Sequence, residues 1–338
     1  MPQLCLILGN GFTVDMLGHF RQTDNIDVLN LFRLGSEVPW PVDKKPGFLS
    51  YKHCPNLWNL GVTPNISQKD ASLIIENIIS VQNALLSNRE ASNLIANRRN
   101  SSPIYVGAYN ELTAYLKHLF IYYDNKLSKV IAQGSPWRWI EYIKRVIGQY
   151  DEITIITYNY DIWLERLLKA ASIDFKIALM ENLSNKITIL KPHGSIGFVH
   201  KDKLPLDSFN IEKNYLSGDA EIGDFRMEYD DLQNYYAVTA LIPPSGESKR
   251  IGNQWAKSIR DEGRNILSRF GTGDDIIICG LSYWHVDRAE LDELLLTCDS
   301  NVQVSMINPN PSPTLNAVLS SIFDNYFLYT SANILEHL

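Results

Sequence analysis

The sequence predicts an α/β fold, a doubly wound, mainly parallel sheet with an inserted helical layer. Three observations predict it. Of 338 residues, 45% are hydrophobic and 20% charged, the balance of a globular chain that buries a sizeable core. Short continuous apolar runs, at residues 3–8, 153–157 and 275–279, have the composition of strands buried on both faces. Stretches with helical periodicity separate such runs, and that alternation belongs to a sheet with crossover helices.

Residues 3–8 form the first strand, which Gly9 and Gly11 end. A helix is expected from Phe12 or Thr13, carrying Val14, Met16 and Leu17. Residues 35–64 hold Pro39, Pro41, Pro46, Pro55 and Pro64 and read as an irregular loop, a feature often tied to function. A helical insertion occupies about 65–150. Ser67 and Asp70 offer its opening cap. Leu73, Ile74, Ile78, Val81, Leu85 and Leu86 follow at helical spacing. A second helix is expected from Tyr105 to Ile131 and a third from Ser135 to Ile147.

Strand character returns at 153–157, followed by a helix from Ile162 to Ala171. Residues 175–179 and 187–190 are strand-like, and 200–235 read as a polar, acidic surface excursion. A strand at 237–242 stops at Pro243-Pro244, and an amphipathic helix covers 251–270. The strand at 275–279 leads to a helix from Val286 to Leu296. Residues 302–307 form the last clear strand, with a helix near 315–323. No internal repeat or low-complexity tract appears. The expectation is one Rossmann-like domain over residues 1–338.

A net charge of −7 argues against direct nucleic-acid binding, which needs clustered Lys and Arg. Cys5, Cys54, Cys279 and Cys298 form no C-x-x-C pair, so no zinc module is expected, and a reducing cytoplasm is the default. The apolar N-terminus runs straight into glycines with no basic segment before it. No stretch approaches the roughly 18 apolar residues of a membrane span. The chain is read as soluble and cytoplasmic.

Five strand ends carry the candidate site. Gly9-Asn10-Gly11, followed by Phe12 and Thr13, sits at a strand-to-helix turn, where N–H groups and the helix dipole attract phosphate. Val14 stands where the dehydrogenase fingerprint has its third glycine, so a plain tight turn is the alternative. Thr157-Tyr158-Asn159-Tyr160-Asp161 follows a buried strand. Capping of the next helix would account for Asp161 but not for Asn159. Lys191-Pro192-His193-Gly194-Ser195 presents His193, the side chain suited to general-base chemistry near neutral pH; a turn histidine is the alternative. His285 is the second choice. Gly280-Leu281-Ser282 and Ile307-Asn308 end two later strands, where Ser282 and Asn308 could meet phosphate or ribose, or serve as turn residues. If the strands are parallel, all five ends lie along one sheet edge, where ligands of open α/β sheets bind.

In this order, the motifs resemble those of the sirtuin superfamily: a Gly-Ala-Gly turn, Thr-Gln-Asn-Ile-Asp, His-Gly, Gly-Thr-Ser and a late Ile-Asn. The Asn159-Tyr160-Asp161 and Lys191-x-His193-Gly194-Ser195 forms are most similar to bacterial sirtuin-like NAD hydrolases of anti-phage defence. The resemblance implies NAD as substrate, pyrophosphate at Gly9 to Thr13, nicotinamide oriented by Asp161, and Asn159 and His193 as catalytic pair. The four-cysteine zinc module of the deacylating sirtuins is missing, which implies water as nucleophile. It also implies an activity held off until triggered, through a homo-oligomer or a separate activating protein such as an ATPase. The helices between 67 and 148 are the candidate interface. Alternatives are an NAD or ADP-ribose sensor without catalysis, and an ADP-ribosyltransferase or deacylase.

Overall fold

A computed structural model describes residues 2–87, 102–132, 136–211, 219–243, 253–281 and 288–338. Strands β1 (Leu4–Leu8), β2 (Ile153–Thr157), β3 (Phe175–Ile177), β4 (Ile187–Leu190), β10 (Asp275–Cys279), β11 (Gln303–Ile307) and β12 (Asn325–Tyr329) make a seven-stranded sheet in the order β12-β11-β10-β1-β2-β4-β3. Every neighbouring pair is parallel. This is the expected doubly wound α/β architecture. β1 and β2 are buried at every position, as continuous apolar runs require when helices cover both faces. Each such Leu or Ile contributes about 1.5–3 kcal/mol relative to an exposed one.

The central register sets the site. Leu8 of β1 pairs with Cys279 of β10 on one side and Thr157 of β2 on the other, so three chains leave the sheet at one level. The Gly9 N–H donates to the Cys279 carbonyl at 2.9 Å and the Tyr158 N–H to the Leu8 carbonyl at 3.0 Å, continuing the ladder one residue past the strands. The chain runs from β1 toward β2 and later returns on the other side of β1 as β10. That reversal is the switch point of an open sheet.

Helices α1 (Asn10–His19), α2 (Pro55–Asn59), α3 (Gln68–Ser87), α4 (Ser102–Ala132) and α5 (Arg138–Val146) lie between β1 and β2. α1 begins at Asn10, earlier than expected, because Gly9 is its N-cap. At α3, Ser67 Oγ accepts from the Asp70 N–H at 3.1 Å, the cap read from the sequence. α2 arises inside the segment read as irregular. Glu111 of α4 caps it from outside, its carboxylate accepting from the Asn56 N–H at 3.1 Å and the Leu57 N–H at 2.8 Å. Burial raises the Glu111 pKa, against the lowering by these bonds. Ala71, Ile75, Ile78 and Ile79 of α3 are buried, and α3 packs on α4.

Helix α6 (Trp163–Ala170) follows β2 and is tied to α4 by Arg166, which grips Asp124 through two bonds of 2.8 and 2.7 Å. Helices α7 (Gln254–Leu267), α8 (Arg288–Leu295) and α9 (Pro313–Ile322) complete the described set.

Two features depart from the expectation. β5 (Gly194–His200), β7 (Phe225–Met227) and β9 (Thr239–Leu241) form a small antiparallel sheet, and β6 (Lys203–Leu204) pairs with β8 (Tyr235–Tyr236). The strand read at 237–242 thus belongs outside the main sheet, and part of the expected 200–235 excursion is strand. Gly194 makes the turn: its φ is +84°, and a Cβ there would lie 1.9 Å from the Ala240 carbonyl oxygen. β12 is also an additional sheet strand beyond β11, at an edge with Phe327 and Leu328 exposed.

Candidate functional site

The floor of the site is main chain. Gly9 and Gly11 from the β1 exit face Gly280 from the β10 exit. A Cβ on Gly11 would approach the Gly280 Cα to 2.5 Å, and one on Gly9 the Gly280 carbonyl oxygen to 2.7 Å. Gly280 has φ +67°, and its own Cβ would lie 2.4 Å from the Phe12 nitrogen. The glycines thus serve close backbone packing. The Gly11 N–H donates to the Gly280 carbonyl at 3.0 Å and the Phe12 N–H to the Gly9 carbonyl at 3.0 Å. The polar α1 N-terminus is therefore partly spent on the chain itself.

Beside this floor runs a buried polar network. Asn159 Nδ2 donates to the Gly9 carbonyl and to Thr13 Oγ, each at 3.1 Å. The Thr13 hydroxyl in turn donates to Asp161 Oδ2 at 3.0 Å. Asp161 Oδ1 accepts from the Trp163 N–H at 3.1 Å. The N-cap of α6 is Ile162, so Asp161 caps from one residue earlier than a simple N-cap. With both Asn159 donors engaged, its Oδ1 remains as the acceptor of that amide. Behind Asp161, Lys191 donates to the Asp161 carbonyl and pairs with Glu165 at 2.8 Å, all three residues being buried. Burial pushes the Asp161 carboxyl up to about 6; Lys191 opposes the shift and Glu165 adds to it.

His193 comes from the turn after β4. Its main-chain carbonyl accepts from the Ile242 N–H at 3.0 Å, fixing the turn against β9. The ring packs edge-on against Tyr158, with centroids 4.9 Å apart, and Nε2 lies 3.5 Å from Glu290 Oε2. Arg260 Nη1 reaches the same oxygen at 3.7 Å. Glu290 lies in the first turn of α8, and its contact with His193 was not read from the sequence, because the packing of α8 beside the β4 exit leaves no local signal there.

A cavity of about 970 Å³ opens above the floor, at the upper end of the usual range for ligand clefts. Gly9, Asn10, Gly11, Asn159, Asp161, His193, Gly280 and Asn308 all line it. The sheet edge thus brings these candidates together. Phe12 and Thr13 do not line it: Phe12 packs against Trp137 and Trp139 at 4.8 and 5.3 Å, and Thr13 lies in the network behind. Asn308 bridges two loops, donating to the Leu281 carbonyl at 3.3 Å and accepting from the Asn310 N–H at 3.0 Å. Ser282 and His285, and the start of the helix expected from Val286, lie outside the described residues, as does the stretch 88–101 of the expected helical block. The opposite wall was not read from sequence. It is apolar at Val28, Leu31, Ile75, Phe120 and Trp139, with Arg138 near Asn333 at the rim. Among the described residues, no group of three or more His, Cys, Asp or Glu could hold a metal ion, and no helix is long and apolar enough to cross a membrane.

The fold and cavity together define a doubly wound α/β protein with a ligand cleft at its switch point. No protein-family model and no curated protein matches the chain. Among solved structures, the chain is similar to a mutant Sir2 homologue in complex with 2'-O-acetyl ADP ribose. The identity is 14%, over 99% of this chain and 89% of that one, with a TM-score of 0.40. A likeness of that degree carries no argument about activity.

Proposed function

We propose that the chain is an NAD glycohydrolase, cleaving the nicotinamide–ribose bond with water to give nicotinamide and ADP-ribose. One observation carries the reading: Asn159 and His193, from two different strand exits, line the same cleft as the Gly9–Gly11 turn. The motif resemblance supports the choice of coenzyme.

In this mechanism the dinucleotide crosses the glycine floor, with pyrophosphate by the α1 N-terminus and a ribose near Asn308. Asp161 keeps acceptor capacity for the nicotinamide amide, since each carboxylate oxygen has more than one lone pair. The bond from ribose C1′ to the ring nitrogen breaks, and its electron pair leaves with neutral nicotinamide. Positive charge spreads over the ribose as an oxocarbenium-like state. Asn159 Oδ1 holds a water by accepting one of its protons in a hydrogen bond. The water oxygen bonds to C1′ and the released proton passes to His193.

The role we assign is that of a regulated, NAD-depleting effector in anti-phage defence. An unrestrained hydrolase of this kind would exhaust its host's coenzyme, so activation through a homo-oligomer or a separate protein such as an ATPase belongs to the proposal. The test is incubation with NAD, with and without candidate activators, followed by mass spectrometry. Free nicotinamide and ADP-ribose without a modified acceptor support hydrolysis. A modified acceptor points to a transferase or deacylase. A second reading, a dinucleotide sensor without catalysis, is favoured by the burial of His193, only 3% exposed. Calorimetric binding of NAD without nicotinamide release would select it.

A further inference from the structure

We infer that Glu290 and Arg260 form a charge-balanced clamp that sets the tautomer and basicity of His193, with Glu290 as a positioning residue. The inference rests on the reading of His193 as the base, but its test is read on the ring itself. Glu290 Oε2 lies 3.5 Å from His193 Nε2 and 3.7 Å from Arg260 Nη1, so one carboxylate oxygen is shared between an imidazole and a guanidinium. His193 and Glu290 are both buried, and Arg260 of α7 reaches Glu290. A small cavity of about 20 Å³ is lined by Tyr158, Pro192, Arg260, Arg264 and Glu290.

A carboxylate beside Nε2 favours the neutral ring with its proton on Nε2, which leaves the lone pair on Nδ1. It also favours the protonated ring, because an opposite charge within about 4–6 Å stabilises the ionised form. Arg260 draws on the same carboxylate and limits that effect. The neighbouring charges are engaged elsewhere: Arg264 pairs with Glu293 at 3.0 Å and Lys191 with Glu165 at 2.8 Å. The Tyr158 ring, also titratable, meets the imidazole edge-on. Glu290 sits in the first turn of α8, where the helix dipole favours its ionised form.

The test is NMR of the full chain with ¹⁵N-labelled histidine, followed through pH. The wild-type ring should show the Nε2–H tautomer when neutral. Glu290→Gln should lower its titration midpoint by about one pH unit, Glu290→Asp should restore part of that shift, and Arg260→Gln should raise the midpoint. Opposite signs in the two Gln variants are not produced by a merely structural role. An Nδ1–H tautomer in the wild type, or midpoints unmoved by both Gln substitutions, overturns the clamp. If Glu290→Gln does not fold, the wild-type tautomer and Arg260→Gln decide. A ring that behaves as expected in a protein that never releases nicotinamide upholds the clamp and removes the hydrolase.

Discussion

The Thr13 hydroxyl donates to Asp161 Oδ2 at 3.0 Å, joining the first turn of α1 to the exit of β2 across 148 positions of sequence. Asn159 donates to that same hydroxyl oxygen, so the orientation of its amide depends on a residue that never reaches the cleft.

Asn159→Ala removes both the proposed water-holding oxygen and the bond to the Gly9 carbonyl. NAD turnover should fall by about 10²–10³-fold, the loss typical of a preorganised polar group at a reacting centre. Stability should fall by only about 1–2 kcal/mol. Nicotinamide release and a urea midpoint measure the two separately, and undiminished turnover refutes the assignment.

Gly280→Ala should be far more damaging than Gly273→Ala, although both positions have positive φ. At Gly273, φ is +94° and the space around a Cβ is open, so the cost is about 1–2 kcal/mol of backbone strain. At Gly280 the new methyl meets the Phe12 nitrogen at 2.4 Å, and the loss should exceed about 3 kcal/mol. Equal shifts in chemical denaturation would contradict the close packing of the two strand exits.

Lys191→Met leaves Glu165 charged in a buried site. Removing one partner of such a pair costs about 3–5 kcal/mol. The double variant Lys191→Met with Glu165→Leu removes both charges and should recover most of that loss. A double-mutant cycle by thermal or urea unfolding reads the difference, and strictly additive losses would show that the two groups are not coupled.

Asp161→Asn should change how stability depends on pH. Burial raises its folded-state pKa from the ordinary carboxylate value of 3.8 to about 6. Its contribution to stability is therefore fully present below about pH 4 and fades as pH rises through about 6. The Asn variant lacks this titration, so relative to wild type it should gain on the order of 3 kcal/mol between about pH 4 and 7. Urea midpoints across that interval check the sign; a difference that stays constant with pH counts against it.

Where residues are buried for a simple reason, the sequence was enough. β1, β2 and β10 are apolar on both faces, and a parallel sheet then carries Gly9, Asn159 and Gly280 to one edge. β5 escaped because its two glycines and its mix of polar and apolar residues carry no clean period, and its partners β7 and β9 follow well after it in the chain. β12 escaped because an edge strand with exposed Phe327 and Leu328 lacks the buried signature of its neighbours. Within the site, residue types at strand exits were legible. Contacts set by helix placement, Glu290 on His193 above all, were not.

The meeting of Gly9, Gly11 and Gly280 leaves the base of the cleft without side chains. Such a surface has nothing to substitute, so evolution cannot retune it one residue at a time. A change in which ligand is accepted must come instead from the surrounding walls, where Leu29, Arg138, Asn310 and Ser331 also line the cleft and lie outside the union of the two halves of the sheet.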